Sequence, residues 1–86
     1  MNSSLEWELR ERLVRGELPR RPGAGRGSLL EAPFRVRWEF YDLCDEYATA
    51  RTDQEREHIL QRAIALIQEH DLPFEWFMPD IIDIVR

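Results

Sequence analysis

Two amphipathic stretches, residues 34–50 and 53–70, are joined by a link too short for anything but a tight turn, and that spacing predicts an antiparallel helical hairpin. The second stretch is the clearer. Ile59, Leu60, Ala63, Ile64, Leu66 and Ile67 recur at helical spacing. Thr52-Asp53-Gln54-Glu55 has the form of a capping box, with Thr52 as N-cap and Glu55 at the third helical position. A helix from Asp53 to about His70 follows, and Leu72-Pro73 ends it.

The first stretch admits two readings. Phe34, Val36, Trp38 and Phe40 alternate with Arg35, Arg37 and Glu39, a strand pattern over seven residues. The helical reading covers more of the chain. Val36, Phe40, Leu43, Cys44, Tyr47 and Ala48 fall on one face, opposite Arg35, Glu39, Asp42 and Glu46, and no breaker intervenes before Ala50. Pro33 suits a first helical position. Phe34, Trp38 and Tyr41 widen the apolar arc beyond a single seam, so this helix needs more than one neighbour.

Ser3-Ser4-Leu5-Glu6 reads as another capping box, with Ser3 as N-cap, opening a helix from about Ser4 to Arg15. Leu5, Leu9 and Leu13 line one stripe, and Glu6–Arg10, Glu8–Arg12 and Glu11–Arg15 are acid-to-base pairs four residues apart. Gly16 marks its end. Residues 17–28 hold two prolines, three glycines and almost nothing apolar, so they read as a mobile linker. Beyond Pro73, residues Phe74, Phe77, Met78, Ile81, Ile82 and Val85 again show helical spacing, broken by Pro79. A kinked helix, or two short ones, is expected there, with a terminal strand over Ile81–Val85 as the alternative. The expected fold is therefore all-α: an N-terminal helix (1–16), a flexible Pro/Gly/Arg linker (17–32), and a helical domain (33–86) whose hairpin ends in a short kinked helix.

At 86 residues the chain has room for one thin core. The net charge is −5, and residues 34–86 carry twelve acids against six arginines, a balance that opposes nucleic-acid binding by the helical part. Every basic residue apart from the histidines is arginine. Cys44 is the only cysteine, so no intrachain disulfide forms. No apolar run approaches a membrane span, and the charged residues 1–12 lack the apolar core of a signal peptide. A cytoplasmic location is the expectation.

No catalytic motif emerges and no cofactor is implied. Cys44 sits in the apolar arc among acids, the opposite of the electropositive setting a reactive thiol needs. Glu55 and His58 share the Glu-x-x-His spacing of di-iron bundles, but both lie off the apolar stripe, so they could hold a metal only between subunits. His70 reads as a helix-ending histidine. Arg20, Arg21 and Arg26 form a loose basic segment that would give a nucleic-acid accessory protein little counterion release. The leading expectation is a small acidic, non-catalytic interaction module (adaptor, inhibitor or antitoxin-like in size and charge) that binds a protein partner or a second copy. Its candidate partner-binding residues are Trp38, Tyr41, Phe74, Trp76 and Met78.

Overall fold

The computed structural model describes residues 4–21 and 27–78, and every regular element among them is helical. Three α-helices, α1 (Leu5–Val14), α2 (Phe34–Thr49) and α3 (Asp53–Glu69), are accompanied by two short 3-10 turns, Leu29–Glu31 and Phe74–Phe77. Helices α2 and α3 form the expected hairpin, and α1 packs on α2, on α3 and on the terminal turn.

The hairpin is set by local hydrogen bonds. The backbone of Ala50 turns extended at the end of α2, and the Thr52 hydroxyl accepts the Glu55 N–H at 3.0 Å. That hydroxyl also donates to the Glu55 carboxylate at 3.2 Å, so Thr52 caps the helix as the sequence predicts, with Glu55 returning to its hydroxyl rather than to its backbone N–H. Arg56 reaches back to the Ala50 carbonyl and pins the turn. Across the hairpin, Arg62 of α3 meets Glu46 of α2 at 2.9 Å. The strand reading of residues 34–40 is excluded, because they open α2. Pro33 is the N-cap of that helix rather than its first residue, and its carbonyl accepts the Arg37 N–H.

Helix α3 ends at His70 in a Schellman arrangement. The Asp71 N–H donates to Gln68 and the Leu72 N–H to Ile67, with Asp71 at φ 53°. The same pattern closes α1. Gly16 adopts φ 83°, its N–H donates to Leu13, and the Glu17 N–H donates to Arg12. At the start of α1 the cap is Ser4, whose hydroxyl accepts the Trp7 N–H at 3.1 Å. This corrects the expected box on Ser3, which lies outside the described residues. With Ser4 as cap, a tryptophan holds the third position, and no carboxylate is placed to return the bond.

Of the three expected ion pairs in α1, only Glu8–Arg12 forms at that spacing, at 3.5 Å. Arg12 is drawn further, to Glu57 of α3 at 2.7 Å, and so cross-links the two helices. Arg10 turns instead to Glu11 and over the Trp7 ring.

The core lies where the three helices and the terminal turn converge. Phe40 and Phe77 are completely buried and meet edge to face, ring centres 5.0 Å apart. Leu5 and Leu9 of α1, Val36 of α2, and Leu60 and Ile67 of α3 complete the layer. Ala63, also fully buried, leaves space for close packing. The buried side of α2 is thus covered by α1 and Phe77 as well as by α3, while Phe34, Trp38 and Tyr41, which were expected to call for a further neighbour, stay exposed.

Residues 22–26 of the linker lie outside the described residues, and its described ends make contacts. Leu18, its single apolar side chain before the glycines, is buried, as is Ala32. Arg21 donates to the Asp71 carbonyl at 2.9 Å and to its carboxylate at 2.6 Å. Of the expected kinked C-terminal helix, the described residues include only the first part, which is the 3-10 turn Phe74–Phe77. Residues 79–86, including the Ile81–Val85 segment, lie outside the described residues.

Replacing Phe77 with alanine removes the ring that seals Phe40 and costs about 3–5 kcal/mol. In so small a domain that is most of the stability, so near-ultraviolet dichroism should be lost at room temperature. Gly16→Ala meets no neighbour within 4 Å, so its cost is backbone strain alone, about 1 kcal/mol, read as a lower urea midpoint.

Candidate interaction face on α2

At 100° per residue, Val36, Phe40, Leu43 and Tyr47 occupy one side of α2 and are buried. The same rotation places Phe34, Trp38 and Tyr41 on the opposite side. Phe34 is 65%, Trp38 53% and Tyr41 41% exposed. Their rings are in contact: Phe34 meets Trp38 with centroids 5.6 Å apart, and Trp38 meets Tyr41 at 5.9 Å, both edge to face. The Arg37 guanidinium lies 5.6 Å from the centre of the Phe34 ring. A continuous aromatic ladder therefore runs along the solvent side of a helix whose other side is fully used by the core.

Of the residues expected to bind a partner, Trp38 and Tyr41 belong to this ladder. Phe74 does not, because it is buried in the core. Trp76 and Met78 are half-buried and pack against that core. The Trp76 ring lies so close to Gly27 that a Cβ there would sit 2.5 Å from it. The expected five-residue surface is thus divided between a surface ladder and an interior turn. Phe34 was the missing member, and its spacing of four and seven residues from Trp38 and Tyr41 was the available signal.

Glu55 and His58 line one open cleft at the hairpin turn with Glu46 and Arg62. Glu55 is hydrogen-bonded to Thr52, and Glu46 is paired with Arg62. Among the described residues, no three His, Cys, Asp or Glu side chains gather as a metal site. Of the basic segment, Arg21 is engaged by Asp71 and Arg20 is exposed, while Arg26 lies outside the described residues. His70 Nδ1 lies 3.1 Å from the Leu66 carbonyl, as a helix-ending histidine would. No described helix is long and apolar enough to cross a membrane.

Cys44 is partly buried beside the ladder's flank, and its thiol is pushed up to about 12 by burial first, then by Glu6 and Asp45. Burial likewise raises the Glu6 carboxyl. Comparison with protein-family models, with curated proteins and with solved structures found no match to this chain.

At pH 8 the native Cys44 thiol should react with iodoacetamide far more slowly than the same thiol in urea, because the thiolate is the nucleophile. Stability follows the same shift. The unfolded chain releases this proton near the ordinary value of 9.0 and the folded chain only near 12, so stability falls as pH rises through that window. Cys44→Ser should flatten the decline, measured by urea titration at successive pH values.

Proposed function

We propose that this protein is a non-catalytic protein–protein interaction module, acting in the cytoplasm, that engages its partner through the aromatic ladder of α2. The observation that carries this reading is the division of α2 into two apolar sides. Val36, Phe40, Leu43 and Tyr47 hold the fold, so Phe34, Trp38 and Tyr41 are not needed for it. Exposed single apolar residues are ordinary, but three touching rings on one helix form a patch of the kind that marks binding surfaces. Aromatic side chains supply large contact area at low entropic cost, and tryptophan, tyrosine and arginine dominate binding hot spots. The metal-binding and nucleic-acid readings gain no comparable support, since Glu55 is hydrogen-bonded to Thr52 and Arg21 to Asp71.

A photo-crosslinking residue at position 38, introduced in the cells that naturally make the protein, should trap discrete protein adducts. The same residue at exposed Gln61 on α3 should not. Trp38→Ser should change stability by no more than about 0.5 kcal/mol while abolishing the interaction. Equal trapping from both positions, or none from 38, would refute the reading.

A further inference from the structure

The ladder continues in a pattern that its own copy would satisfy. Phe34, Trp38, Tyr41, Asp45 and Ala48 alternate at spacings of four and three residues, the seam of a two-helix coiled coil. Phe34 and Tyr41, seven residues apart, hold the same type of seam position, and the residues immediately after them are Arg35 and Asp42. In an antiparallel pair related by a twofold axis, these flanking positions face each other across the seam, the early one of each copy opposite the late one of the other. Neither side chain has an ion-pair partner among the described residues, and both are exposed.

The charges also run against the helix's own dipole. Helix α2 has no acid in its first turn and no base in its last, with Arg35 and Arg37 near its positive end and Asp45 and Glu46 near its negative end. An antiparallel neighbour reverses both mismatches at once, because each basic start then lies beside an acidic finish.

Resting on the reading of the ladder as an interaction face, we infer that its partner is a second copy of this chain. Two α2 helices pair antiparallel, Trp38 of each copy packs on Tyr41 of the other, and Arg35 of each meets Asp42. In this register Asp45 lies opposite the other copy's Phe34, at the start of its helix, and Ala48 lies beyond the overlap, so the acid in an otherwise apolar row sits at the rim of the interface, where the opposing Arg35 also reaches it. The contact is only about three turns long and is small for a permanent dimer, which makes the association reversible and concentration-dependent.

Sedimentation equilibrium of the full chain tests this. The wild type should pass from monomer to dimer with rising concentration, and Trp38→Glu should abolish the dimer while leaving helical dichroism intact. Arg35→Glu and Asp42→Arg should each weaken it roughly tenfold, since two symmetric contacts turn repulsive. An equimolar mixture of the two variants should associate more tightly than either variant alone, because each then supplies at the 35–42 contacts the charge the other lacks. A dependence on net charge alone would make Asp42→Arg associate more tightly, as it would Glu69→Arg on α3, and that result would overturn the inference. So would a monomer at every concentration. A pure monomer whose position-38 crosslinker still traps a different protein would remove the second copy as partner but leave the interaction face. A monomer that traps nothing would remove both.

Discussion

Phe40 is completely shielded from water, and no single neighbour can do that to a phenylalanine on a helix in a chain of this size. Phe77 covers it from the terminal turn, edge to face. The leucine stripe of α1 joins the same cluster, opposite the seam supplied by α3. Each of these pieces is short, and a helix of ten residues such as α1 has little stability of its own in water. The pieces persist because they share one ring. The interior is a junction of four arms rather than a hairpin with attachments.

The hairpin was legible because two independent signals agreed on it. The periodicity of residues 34–50 and 53–70 set the helices, and Thr52 with Glu55 set the turn, within a residue of what is observed. The role of α1 was not legible in the same way. Leu5, Leu9 and Leu13 announced a face but not what it would meet, and the glycines and prolines after it argued for independence. That argument was compositional, and composition does not register single contacts such as the buried Leu18 or the Arg21 bond to the end of α3.

The site divides along similar lines. Trp38 and Tyr41 were found because the arc of α2 was visibly too wide. Phe74 was grouped with them because an aromatic after a helix-breaking proline reads equally well as surface or interior. It is buried in a turn that packs against α1, a contact between segments some sixty residues apart that no local pattern records. Helix α2 therefore turns two apolar sets to opposite sides, one buried and one exposed, and its sequence mixes them without marking which belongs to which.

The clasp between Arg21 and Asp71 has a consequence for how the molecule comes apart. Arg21 also gives its backbone N–H to Glu75, and Gly27 lies directly against Trp76, so the chain between α1 and α2 is fastened to the far end of α3 and to the turn beyond it. With Arg12 tied to Glu57 as well, early and late parts of the chain grip each other at several points. Opening any one arm strips contacts from the others. Fraying of the N-terminal helix is thereby coupled to the hairpin, since its release uncovers the core residues the two share.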